Sequence, residues 1–143
     1  FLRTRRYHTP LSILMLDADK FKRINDTYGH ASGDIVLSSI CDICRSELRS
    51  FDFIGRLGGE EFAICLPETT QQEATQVAER LRTAIENASI TTEKGNIRFT
   101  VSIGLTVVDS ADSNFTDALE RADTSLYQAK RNGRNQVSGL FVE

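Results

Sequence analysis

Four acidic side chains stand where carboxylates are costly. Asp17 follows "LSILML", in which five of six residues are apolar, and Asp19 comes two positions later. Glu60 and Glu61 follow Gly58-Gly59 and precede a second apolar stretch, "FAICLP". A carboxylate at the mouth of a buried strand costs free energy unless it is solvated, paired or metal-bound. Hard oxygen ligands without neighbouring His or Cys favour Mg2+ over zinc. Mg2+ takes one or two carboxylates and leaves its other positions to water and phosphate oxygens, which points to phosphoryl chemistry. The plainer alternative for Glu60 and Glu61 is a solvated turn whose acids serve solubility.

Cations and amides strengthen the phosphate reading. Lys22 and Arg23 lie just past Asp17, at the opening of a helix whose free backbone N–H groups favour anions. Near the far end of the chain, "YQAKRNGRN" places Lys130 and Arg134 around a helix terminus. Cations there also suit the helix dipole, which is their bland explanation. Together these groups sketch a triphosphate site. Asn25 and Asp34 can read a base edge, and the pair suits guanine, whose N1–H and exocyclic amine donate to a carboxylate.

Bulk properties narrow the class. The 143 residues are 40% hydrophobic and 26% charged, with a net charge of −3, as expected for one soluble globular domain. This balance argues against a nucleic-acid-coating or membrane-surface protein. No apolar run reaches membrane-spanning length, and no signal peptide is evident. The first residue is Phe1 rather than Met, so a fragment of a longer protein is expected. Three cysteines, an odd number, suggest a reducing compartment. Cys41 and Cys44 form C-x-x-C inside a helical pattern, with no second pair to complete a zinc site, and read as small core residues.

The elements that must position the acids follow from periodicity. Leu11–Leu16 predicts a buried central strand, and the next segment a helix from about Lys20 to Gly29, a natural C-terminal stop. A second helix is expected from Ser32 to about Leu48, then strands at 53–57 and 61–66 around the Gly58-Gly59 turn. A third helix is expected over about 70–87. Phe99, Val101, Ile103, Leu105 and Val107 alternate with smaller and polar residues as one strand. A last helix runs from about Phe115 to Arg131, and "NQVS" adds an edge strand. The order β-α-α-β-β-α-β-α-β predicts an α+β, ferredoxin-like fold with a mostly antiparallel sheet. That plan brings Asp17 and Glu60 to one end of the sheet.

"LDADKFKRINDTYGHASGD", "RLGGEEF", "VSIGL" and "ADTSLYQAKRNGRN" resemble, in this order, the GGDEF family of diguanylate cyclases. The resemblance runs from about Leu11 to Val137 and implies a single catalytic domain over residues 1–143, related to nucleotidyl cyclases and polymerase palms. It implies condensation of two GTP molecules into cyclic di-GMP with release of pyrophosphate. By position, Asp17, the Ala18 carbonyl and Glu60 would bind Mg2+ (Mn2+ being the alternative ion), with Glu61 assisting. Glu60 would also be the base for the 3′-hydroxyl. Lys22, Lys130 and Arg134 would hold phosphates, Asn25 and Asp34 would read guanine, and His30 would lie near ribose or base or cap its helix. Gly58 and Gly59 would let the nucleotide approach the backbone.

The resemblance further implies an inhibitory site for the product. Arg49-Ser50-Phe51-Asp52 is R-x-x-D at the family's spacing before the hairpin, and Arg80 matches a further arginine. The plainer reading is an i, i+3 surface salt bridge of little worth. A homodimer with one GTP per protomer is implied, in a cytoplasmic domain whose parent protein can be membrane-anchored. Neither nucleic acid nor membrane contact is expected of this segment. The family's usual opening, D-x-L-T with L-x-N-R, is lacking here. The rival from another class is a silent sensor that binds GTP or cyclic di-GMP.

Overall fold

The computed structural model describes residues 9–108, 112 and 114–139. In chain order the elements are β1 (Leu11–Ala18), α1 (Phe21–Tyr28), α2 (His30–Glu47), β2 (Phe53–Gly58) and β3 (Glu61–Pro67). Then come α3 (Gln71–Asn87), β4 (Ile90–Thr92), β5 (Gly95–Ile97), β6 (Val101–Val107), α4 (Phe115–Arg131) and β7 (Val137–Gly139). Five strands form one sheet in the order β2-β3-β1-β6-β7. β1 runs antiparallel to both β3 and β6, and β7 pairs parallel to β6. This is the predicted α+β plan, with β1 at its centre.

β1 is apolar almost throughout because both of its faces are covered. Leu14, Leu16 and Ala18 join the core beneath α2 and α3, with Phe62, Ile64, Val36, Ile40, Leu81 and Ile85. Leu11, Ile13 and Met15 point the other way, into a smaller core with Ala118, Ala122 and Leu126 of α4. Cys44 lies fully buried in the larger core and Cys41 packs against it, as expected of small core residues.

One expectation changes. The strand predicted from Phe99 begins only at Val101, and residues before it enter a separate two-stranded hairpin, β4-β5. The small and polar positions of β6 lie beneath α4. Ser102 and Thr106 are fully buried, and so is Gly104 between them. The reason is the close approach of α4. A Cβ at Gly104 would lie 2.2 Å from the Ala122 carbonyl oxygen and 2.2 Å from the Leu126 nitrogen. Small residues on this strand let the helix backbone settle directly onto it.

That contact sets the position of everything α4 carries. We expect Gly104→Ala to cost about 1–3 kcal/mol through overpacking against backbone that cannot move aside. Urea denaturation measures this, and an unchanged midpoint would show that α4 is not seated through Gly104.

Candidate active site

Continuing the alternation of β1 places Asp17 on the α4 side, at the strand's end. It pairs in register with Glu61 on β3 and with Ser102 on β6, and is only 3% exposed. Its Oδ2 accepts a hydrogen bond from Lys130 Nζ of α4, while its Oδ1 is buried without a partner. Burial lifts the Asp17 pKa from 3.8 to about 6; Lys130 opposes the rise, and the Glu60 and Glu61 charges add to it. An orphaned, desolvated carboxylate oxygen beside two further acids is a donor set suited to a hard cation. Among the described residues no three acids, histidines or cysteines converge as a ready-made metal cluster. The unpartnered Asp17 oxygen with Glu60 and Glu61 in reach would suit an ion that takes one or two carboxylates and completes its shell elsewhere, as Mg2+ does.

The hairpin closes with Gly58 opposite Glu61, leaving Gly59 and Glu60 at its corners. Gly59 has φ +50°, a left-handed conformation that glycine adopts without steric cost. Arg56 Nε braces the turn by donating to the Gly59 carbonyl at 2.7 Å. A Cβ at Gly58 or Gly59 would meet nothing within 4 Å, so the surface above both residues is open. Glu60 and Glu61 are half-buried. The Glu61 pKa is raised by burial first and then by the charge of Asp123 of α4. Asp123 is a site residue that sequence reasoning missed. Its spacing of seven from Lys130, two helical turns along one face, was the available signal.

Across the strand end, Lys20 precedes α1 as its N-cap residue, held at φ +54°. Lys22 and His30 are exposed, the latter as the first residue of α2. Asn25 is half-buried, with Oδ1 turned inward and unpartnered. Gly33 of α2 makes that pose sterically possible, because a Cβ there would fall 1.9 Å from Asn25 Oδ1. Asp34 follows at once and is exposed. The structure thus brings Asn25 and Asp34 to neighbouring positions through a close α1–α2 contact.

The cations divide. Lys130 reaches the acids, whereas Arg134, past the end of α4, lines a cleft of about 550 Å³ with Lys20 and Arg23. Lys22 is not among that cleft's lining residues. Asp19, the second acid of the expected constellation, is 7% exposed and has both oxygens engaged by the protein itself.

Around R-x-x-D the side chains are already paired. Arg49 donates to Asp52 through Nε at 3.1 Å and through an η nitrogen at 2.9 Å, and that nitrogen also reaches Thr69 Oγ1 at 2.6 Å. The Arg49 guanidinium lies 4.4 Å from the Phe51 ring centre. Arg80 binds Glu47 instead, at 3.1 Å, and does not join the cleft of about 340 Å³ lined by Arg45, Arg49 and Asp52.

The Asp17 pKa carries a sign that can be tested. Its folded-state value lies above the unfolded one, so ionisation weakens the fold. That penalty is absent below about pH 4 and complete above about pH 6, where it approaches roughly 3 kcal/mol. In EDTA, Asp17→Asn should therefore gain stability relative to the unmodified chain as pH rises from 4 to 7. Unfolding curves of the two proteins that stay parallel across this range would contradict the assignment.

Comparison with known proteins places the chain in a family. Residues 1–136 match the model of "Diguanylate cyclase, GGDEF domain". Diguanylate cyclase A of Treponema denticola is 47% identical over 128 residues, covering 90% of this chain and 34% of that protein. The chain thus spans about a third of the length of the curated relatives it matches. The active GGEEF domain of a Vibrio cholerae diguanylate cyclase superposes with a TM-score of 0.90 at 35% identity, covering 97% of this chain and 88% of that one. The GGDEF domain of DgcB from Caulobacter crescentus, solved in complex with c-di-GMP, gives 0.90 at 29% identity, covering 96% and 80%. With its acid-bearing hairpin, buried aspartate and facing lysine in this arrangement, the chain belongs to the GGDEF-domain family of diguanylate cyclases.

Proposed function

We propose that this chain is the single catalytic domain of a longer signalling protein and condenses two GTP molecules into cyclic di-GMP. The observation that carries the reading is Asp17: buried, with one oxygen unpartnered and the other on Lys130, within electrostatic reach of Glu60 and Glu61. In each of two steps a 3′-oxygen bonds to the α-phosphorus of the other GTP. The bond to the terminal diphosphate breaks, pyrophosphate leaves and the 3′ proton is lost. Asp17, the Ala18 carbonyl and Glu60 would hold Mg2+ or Mn2+, with Glu61 assisting. The ion would neutralise phosphate charge and make the hydroxyl more acidic. Glu60 serves the ion first, since a carboxylate bound to a cation is a weak base at neutral pH.

The other residues bind and orient. Asn25, its Oδ1 turned inward, has its amide NH2 left for guanine acceptors, while Asp34 accepts from guanine donors. Lys22, Lys130 and Arg134 stabilise phosphate charge as it shifts in the transition state. The open surface above Gly58 and Gly59 admits the nucleotide, with His30 at the rim. One nucleotide per protomer requires two chains facing each other, hence a homodimer. The GTP requirement and the three free cysteines favour the cytoplasm. No helix among the described residues is long and apolar enough to cross a membrane.

The product is proposed to bind at Arg49, Asp52 and Arg80 and to restrain turnover. The c-di-GMP complex of the related DgcB domain supports product binding in this family. In this chain the ligand would replace the Arg49–Asp52 and Arg80–Glu47 pairs. Arg80–Glu47 is an exposed pair worth about 1 kcal/mol or less, whereas the Asp52 side chain is only 2% exposed, so the ligand would have to supply that carboxylate with donors in place of Arg49.

Two experiments test these readings. Incubating the dimerised chain with GTP and Mg2+ should yield cyclic di-GMP, and Glu60→Gln should lower kcat by about two orders of magnitude or more. GTP binding without product from an enforced dimer would instead identify a silent sensor. Arg49→Ala should raise the cyclic di-GMP concentration needed for half-inhibition by about tenfold or more. Inhibition that persists unchanged would return R-x-x-D to a plain salt bridge.

A further inference from the structure

Asp17 and Asp19 are spaced like paired metal ligands, yet the structure gives them different work. Asp19 Oδ2 accepts from Thr100 Oγ1 at 2.6 Å and from the Asn135 backbone N–H at 3.0 Å. Its Oδ1 accepts from Ser102 Oγ at 2.6 Å, and its own N–H donates to the Thr100 carbonyl at 2.9 Å. One nearly buried carboxylate therefore ties three segments: the end of β1, the approach to β6 and the turn after α4. In contrast to Asp17, it leaves neither oxygen unpartnered.

The turn it holds needs holding. Arg134 and Asn135 are consecutive non-glycine residues at φ +65° and +47°, following Gly133 at +121°. Left-handed conformations persist in such residues only where surrounding bonds over-determine them. The Arg134 N–H donates to the Ala129 carbonyl at 3.0 Å, and Asn135 is gripped by Arg82 at 2.9 Å and by Glu86. Asp19 supplies the one bond in this set that comes from the turn directly after β1, the strand bearing Asp17. The same segment ends the helix that delivers Lys130 and aims Arg134 at its cleft.

We propose that Asp19 is a positioning residue: it fixes the turn after α4 on the end of β1, and so sets Lys130 against Asp17 and Arg134 in its cleft. It acts by hydrogen bonding and not through a metal ion. The kinetic part of this inference rests on the cyclase reading above; the structural part does not.

Asparagine separates the two roles. In Asp19→Asn the amide oxygen keeps both Oδ2 bonds and the NH2 group donates to Ser102 Oγ, so positioning survives while the charge is lost. In Asp19→Ala every bond from the side chain is lost. The test measures backbone hydrogen exchange over residues 133–136, together with kcat, KM for GTP and the Mg2+ concentration for half-activation. Asp19→Ala should speed exchange there by about tenfold or more and lower kcat/KM by a similar factor. Asp19→Asn should stay within about threefold of the unmodified chain in all four quantities. Should the alanine variant not fold, Thr100→Val removes one donor to Oδ2 and should still speed exchange at 133–136 by about threefold.

An Asp19→Asn variant as inactive as Asp17→Asn, with a raised Mg2+ requirement, would overturn the proposal in favour of metal binding. Unchanged exchange at 133–136 in Asp19→Ala, or in Thr100→Val if that variant is used, would also overturn it. If the unmodified dimer makes no cyclic di-GMP, the cyclase reading fails, and the exchange comparison still decides the role of Asp19.

Discussion

A buried carboxylate at the end of the central strand is the constraint on which the rest of the site depends. Asp17 is taken out of water by β3, β6 and α4 and stands directly across from Glu61, a like charge. Opposed like charges on neighbouring strands weaken a sheet, and an unpaired buried charge would weaken it far more. Lys130 answers half of that demand. Its reach depends on α4 lying against β6, and that closeness depends on Gly104 having no side chain. Electrostatics and packing are here one arrangement seen from two sides.

Asp123 extends the same arrangement. The α4 face that offers Lys130 to Asp17 also offers Asp123 to Glu61, so the helix carries one group that favours ionised acids and one that opposes it. The opposing pulls leave the cluster's charge responsive to what approaches it. A cation entering beside Asp17 and Glu61 would relieve the repulsion that burial and Asp123 together maintain.

Much of this could be read from residue order. β1 announced itself because a strand covered on both faces has to be apolar on both, and the hairpin did so through Gly58-Gly59. The alternation in β6 located the strand but not what covers its small residues, since periodicity cannot distinguish a face covered by a close helix from one covered by water. Ser102, Gly104 and Thr106 are small for the first reason. The β4-β5 hairpin escaped notice because strands of three residues carry too little pattern. Asp17 and Asp19 looked alike in sequence; only the three-dimensional supply of donors, two hydroxyls and one backbone amide, distinguishes them. Similarly, R-x-x-D and its Arg49–Asp52 pair could be found by spacing, but Thr69, the further partner of Arg49, and Glu47, the partner of Arg80, lie on other segments.

The sheet order also distributes stiffness within the site. Asp17 belongs to the central strand, paired on both edges and covered on both faces, whereas Glu60 and Arg134 belong to turns at the periphery. The strand that carries Asp17 enters every encounter already in place, and the bonds from Asp19, Arg82 and Glu86 hold the Arg134–Asn135 turn as well, which leaves the ordering cost of a ligand that spans them to the hairpin corner at Glu60.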